Sequence, residues 1–171
     1  MKINANKILL SLFVLLSFVI CPFLKAEAKE VKVRKILVEK SKRTLSLMDG
    51  KKVVKKYSVS LGRQPVGAKS EEGDGKTPEG TYVIDWRNPD SKFYKSLHIS
   101  YPNLREIARA KKDGVSPGGM IMIHGLPNGL GVLGKTQLLV DWTDGCIAVT
   151  DEEMDEIWGL VEDGTEIEIQ P

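Results

Sequence analysis

From residue 31 onward the sequence is a succession of short β-branched and aromatic runs cut by turn signals, which restricts the chain to a mostly β fold. Residues 35–38 and 44–48 read as strands, the second alternating around Leu45 and Leu47. Asp49-Gly50 is a strong hairpin signal, and the return strand over 53–61 places Tyr57, Val59 and Leu61 on one face. Further strands are predicted at 80–86 (GTYVIDW), 97–101 (LHISY), along MIMIH to His124, and at 165–169 (TEIEI). Two helices interrupt them. Asn103 with Glu106 forms a capping box for a helix through Lys111, stopped at Gly114. Thr150 with Glu153 opens a second, whose Met154, Ile157, Trp158 and Val161 form one apolar face and which Gly164 ends. Its acidic first turn suits the helix dipole. The sum is mainly β with two short helices, predicted to be a sandwich or barrel-like domain and not a doubly wound one. Between strands, residues 62–80 form a long loop rich in Gly, Pro and charge, a length that marks functional or mobile segments.

The first 28 residues have a different character. Lys2 and Lys7 precede an apolar run over 8–20, and Ala26-Glu27-Ala28 follows as a cleavage signal. The pattern predicts a secretory signal peptide, residues 1–28, and one exported domain over 29–171. A retained anchor is the alternative, although the run is short for a membrane span. Lipidation of Cys21 is disfavoured by the bulky Ile20 before it. Cleavage removes three lysines and one glutamate, so that 25 basic and 23 acidic residues become 22 of each. A formally neutral protein gives no electrostatic argument for nucleic acid.

Cleavage also leaves Cys146 as the lone thiol, with no intramolecular disulfide open to it. In an exported protein such a residue is either a small buried hydrophobe or a working group. A thiol nucleophile needs a histidine to take its proton, a group to orient that histidine, and backbone amides for the oxyanion. The histidines are two, His98 and His124. His124 ends an apolar strand before Gly125, and Gly145 precedes Cys146, so that Thr143, Gly145 and Cys146 can supply nucleophile and oxyanion nest together. A nearby imidazole can lower a thiol pKa from its usual value of about 8.5. The alternative for His124 is a satisfied core histidine. His98, mid-strand, reads as structural or substrate-lining. One cysteine and two histidines lack zinc-ligand spacing, so no metal is expected. GKTPEG opens a strand where a phosphate loop would open a helix.

Five segments, SLG (60–62), GDGKTPEG (73–80), ISYPN (99–103), MIHG (122–125) and TDGCIAVT (143–150), together resemble the YkuD-type L,D-transpeptidases. The resemblance spans nearly all of 29–171. It implies a β-sandwich catalytic domain without cofactor, with Cys146 as nucleophile, His124 as general base and the Gly125 carbonyl orienting the imidazole. Thr143 and Gly145 fall in the oxyanion motif, and Tyr101, His98 and Trp142 are expected to line the substrate groove. The implied reaction is attack on the carbonyl between the diamino acid and D-Ala of a peptidoglycan tetrapeptide stem. Loss of D-Ala leaves a thioester, resolved by an amine from a second stem or an envelope protein. Water as acceptor would make the same site an L,D-carboxypeptidase, and a non-catalytic wall-binding protein is the remaining alternative. The periplasm or cell envelope is the implied location, with no membrane span once the signal is removed. Three positions depart from the family pattern. The spacer over 126–142 is long and is expected to form a flap or groove wall. Asp144 stands where a basic residue is common; its carboxylate would oppose thiolate formation if aimed at the sulfur, and is expected to point away. Ala148 replaces a polar residue.

Overall fold

A computed structural model describes residues 32–171; the predicted signal peptide lies outside the described residues. β1 (Lys35–Glu39), β2 (Thr44–Asp49) and β3 (Lys52–Ser58) form an antiparallel meander, with Asp49 paired to Lys52 across a tight turn at Gly50. Tyr57, Val59 and Leu61 are all buried, as the alternation predicts. The last strand, β8 (Glu166–Gln170), inserts parallel to β1 and antiparallel to β4 (Gly80–Ser91). Beyond β4 lie β5 (Tyr94–Ile99), β6 (Met122–His124) and β7 (Ile147–Ala148), giving the order β3-β2-β1-β8-β4-β5-β6-β7.

β4 is longer than its sequence signal. Its first residues pair with β8 and its later ones with β5, the register shifting between Ile84 and Trp86. A bulge bends a strand, so one strand serves both halves of the sheet. Ile36, Val38, Leu45 and Leu47 from one half share a single core with Leu97, Ile99, Ile123 and Ile147 from the other. Each such side chain contributes about 1.5–3 kcal/mol of burial. The fold is mostly β, in agreement with the sequence reading.

Both capping boxes form, on α1 (Leu104–Asp113) and α2 (Asp151–Leu160). Gly114 ends α1 in the left-handed conformation. α2 stops before the Gly164 expected to end it, because Val161 turns extended. Its terminal carbonyls are taken by Arg87, whose Nη2 donates to the Val161 oxygen at 2.8 Å and Nη1 to that of Trp158 at 3.3 Å. Residues 131–139 form 3-10 turns kinked at Gly134, which the sequence does not announce. No helix among the described residues is long and apolar enough to cross a membrane.

Between the bridge at Gly62 and the start of β4 at Gly80 the loop has no regular structure but is pinned from within. The buried Lys40 ammonium donates to the carbonyls of Gly67 and Thr77 at 2.7 and 3.0 Å and to Glu79 at 2.8 Å. Buried Lys69 donates to Asp74 at 2.8 Å and to the Glu71 carbonyl at 3.0 Å. Asp74 also accepts from the amides of Ser70, Glu71 and Lys76. Burial favours the protonated acid, but Lys69 and these three amides outweigh it and bring the Asp74 pKa down to about 2. The loop is thereby a fixed wall behind the Cys146 turn.

Candidate active site

The parallel pairing of β6 with β7 matches Ile123 to Ile147 and His124 to Ala148. Met122 therefore sits beside Cys146, and its amide donates to the sulfur at 3.4 Å. The Met120 carbonyl lies 3.6 Å from the same sulfur. The turn before it is built by Thr143, whose hydroxyl accepts from the Gly145 amide at 3.1 Å and donates to the Cys146 carbonyl at 2.8 Å. Gly145 has φ +126°, and a Cβ there would stand 2.6 Å from the Lys76 carbonyl oxygen. Only glycine lets the pinned loop approach this closely.

This geometry redistributes the oxyanion groups anticipated from sequence. The Gly145 amide and the Thr143 hydroxyl are already engaged with each other. The amides of Asp144 and Cys146 donate to no group among the described residues and remain open to a ligand. The Asp144 carboxylate is drawn to Arg63 at the surface, and no hydrogen bond joins it to the sulfur among the described residues.

His124 is 3% exposed, and its Nδ1 lies 2.6 Å from the Gly125 carbonyl oxygen. Its ring is flanked by Phe93, with centroids 4.7 Å apart, and meets Trp142 edge-on at 5.7 Å. Burial pushes its pKa down to about 4, against the opposing pull of the Gly125 carbonyl. Burial also pushes the Cys146 thiol up, while the Met122 amide and the Lys69 charge work the other way. The sequence alone predicts an imidazole that lowers the thiol pKa; in the structure desolvation dominates both groups. No hydrogen bond joins His124 to Cys146 among the described residues, so at neutral pH the site holds a neutral imidazole and a thiol.

Both side chains line one cleft of about 470 Å³, with Trp142, Phe93, Ser96 and Met122 among its walls. Trp142 is held by its Nε1 donating to Gln137 at 2.9 Å. The expected groove positions of Tyr101 and His98 need correction. Tyr101 is 3% exposed within the core, its hydroxyl donating to the Pro117 carbonyl at 3.0 Å. His98 lies outside the cleft, stacked on Trp86 with its Nδ1 2.6 Å from Asp85. Phe93 and Ser96 take those places. Ser96 pairs directly with His124 across β5 and β6, a neighbour that only strand register could reveal.

Residues 33–169 match the model of the YkuD family, the L,D-transpeptidase catalytic domain. The chain belongs to the YkuD family. This YkuD domain is 34% identical over 118 residues to YafK of Escherichia coli (strain K12), whose own assignment as an L,D-transpeptidase is provisional. That match covers 67% of the chain and 37% of YafK. Among solved structures, the helical cell shape determining protein Pgp2 of Campylobacter jejuni superposes with TM-score 0.62 at 26% identity, over 81% of the chain and 48% of Pgp2. An L,D-transpeptidase from Xylanimonas cellulosilytica shares the fold with TM-score 0.50 at 15% identity, over 82% of the chain and 62% of that structure. The YkuD domain thus spans about a third of YafK and about half of Pgp2.

Proposed function

We propose that this domain is a cysteine-dependent L,D-transpeptidase of the cell envelope, acting on peptidoglycan tetrapeptide stems. The observation that supports it best is a thiol on a glycine turn, beside an unengaged amide, in the same cleft as a buried histidine whose Nδ1 is committed to a carbonyl. A carbonyl only accepts, so Nδ1 carries the proton and Nε2 is free to act as base. The Cys146 sulfur attacks the carbonyl between the diamino acid and D-Ala while His124 takes the thiol proton, directly or through one water. The amides of Cys146 and Asp144 receive the developing oxyanion. The imidazolium returns the proton to the departing D-Ala amine, leaving a thioester on Cys146. An amine from a second stem or an envelope protein then displaces the sulfur.

A second reading has water as the acceptor, giving an L,D-carboxypeptidase or related stem hydrolase. It is favoured by the open rim of the cleft, where Met120 is 63% exposed and Asp144 faces solvent. Incubating residues 29–171 with disaccharide-tetrapeptide, with and without an amine acceptor, separates the two. A Cys146-dependent crosslinked product lacking one D-Ala supports transfer, and tripeptide alone supports hydrolysis. Unchanged stem alongside retained wall binding would support a non-catalytic protein.

A further inference from the structure

Gln137 is 6% exposed and takes no part in the chemistry above, yet both ends of its side-chain amide are engaged beside the base. Its Oε1 accepts from the Trp142 indole Nε1 at 2.9 Å, and its Nε2 donates to the Ala148 carbonyl at 3.4 Å. Its own backbone carbonyl accepts from the buried Ser60 hydroxyl at 2.9 Å. Ala148 is the residue paired with His124 across β6 and β7, and Trp142 is the ring that meets His124 edge-on. Gln137 thus closes a circuit from the strand beside the base to the ring that covers it.

The backbone on either side of Trp142 is fixed. The Asp141 carboxylate accepts from the Leu61 amide at 2.9 Å and from Arg43 at 2.8 Å, and the Thr143 amide donates to the Leu61 carbonyl at 3.1 Å. Rotation of the indole about its side-chain torsions is the freedom left, and an indole has one donor with which to hold a rotamer. Trp142 lines both the Cys146 cleft and an apolar groove of about 400 Å³ walled by Leu126, Leu130, Leu133 and Gln137. An indole released from Gln137 therefore has space to turn into, and a half-buried N–H left unpaired has reason to seek water.

Resting on the acyl-transfer reading, we infer that Gln137 is a positioning residue for the general base: it locks Trp142 over His124 and keeps water off the imidazole. Burial is the main cause of the low His124 pKa, so release of the ring should raise it. The charges about the base stay the same when Gln137 is replaced. Cys146, Asp90, Lys92 and Asp144 share the cleft with His124, and Asp151 stands against Gly125. Further back, Lys95 is paired with Asp155 and Lys69 with Asp74. A shift between variants at Gln137 thus reports the aromatic cover and not a change of charge.

The test is an NMR titration of His124 in the unaltered protein, Gln137→Met, Trp142→Phe and the double variant. Methionine keeps the unbranched shape of glutamine and removes the acceptor. Gln137→Met should raise the His124 pKa from about 4 by about one unit or more, toward the ordinary histidine value of about 6.5. The acid limb of kcat/KM should move with it. Trp142→Phe should raise the pKa as well, and adding Gln137→Met to that variant should add nothing further. A shift of equal size in both backgrounds would overturn the inference, as would lower thermal stability of Gln137→Met with His124 unmoved. Rapid hydrogen exchange of the Trp142 indole N–H in the unaltered protein would overturn it without any variant. If His124 shifts as stated but the unaltered protein turns over no stem, the lock stands and the acyl-transfer reading falls.

Discussion

His124 Nδ1 stands 2.6 Å from the carbonyl oxygen of Gly125, the residue that follows it in the chain. One backbone oxygen does here what a carboxylate does in a Ser-His-Asp site: it fixes tautomer and ring orientation. Unlike a carboxylate it brings no full charge to hold the imidazolium, and with burial this leaves His124 neutral well below physiological pH.

The pH profile should carry that signature. With the His124 pKa at about 4, the base is competent above that value, so the acid limb of kcat/KM should fall near pH 4 instead of between 6 and 7. The raised Cys146 thiol predicts slow alkylation by iodoacetamide at neutral pH, accelerating through the alkaline range. An alkylation rate that stays high and flat down to pH 5 would reveal a preformed thiolate–imidazolium pair and contradict the resting state described.

Gly125 is required by its neighbours. A Cβ added there would meet Asp151 Oδ1 at 2.6 Å, an oxygen already accepting from the Leu126 amide at 2.8 Å. Gly125→Ala should cost about 1–3 kcal/mol of stability and displace the carbonyl that orients His124, lowering kcat. Thermal melting and kinetics on the same sample check both effects, and Asp151→Ser in the same chain should return part of each.

Thr143 should act as a positioning residue. Thr143→Val removes the hydroxyl that bridges the Gly145 amide and the Cys146 carbonyl. A fall in kcat of about tenfold or more is expected, with KM little changed and recovery in Thr143→Ser. Equal kcat for the valine and serine variants would show that the turn holds its shape without this bridge.

The strands were legible because alternation is a direct image of a half-buried sheet, and the helices because their capping boxes are local. Cys146 and His124 stood out through scarcity, and Gly145 through its place before the thiol. What was hidden depends on tertiary register. Lysine is seldom buried, so nothing in the chain announces that Lys40 and Lys69 turn inward to fix the loop over 62–80. The two-residue β7 and the 3-10 turns over 131–139 are too short or too irregular to leave a period. Motif and alternation point Tyr101 and His98 toward the groove. Tyr101 instead turns into the core, and Trp86 stacks on His98 at a centroid distance of 4.9 Å.

The Lys69–Asp74 pair should set part of the acid stability. The Asp74 pKa is depressed to about 2, so its contribution is present above the unfolded carboxyl value of about 4 and is lost as pH falls toward 2. Asp74→Asn should remove about 2 kcal/mol at neutral pH and flatten that part of the acid profile. Denaturant unfolding at a series of pH values measures it, and an unaltered acid profile in the variant would assign the stability elsewhere.

The central claim is a covalent acyl-enzyme on Cys146, and intact-protein mass spectrometry after rapid quenching with disaccharide-tetrapeptide tests it most directly. The account predicts a mass increase equal to the stem less D-Ala, located on the peptide containing Cys146, absent from Cys146→Ala and strongly reduced in His124→Ala. Turnover of the stem by Cys146→Ala, or product release with no adduct on Cys146 at any quench time, would contradict it.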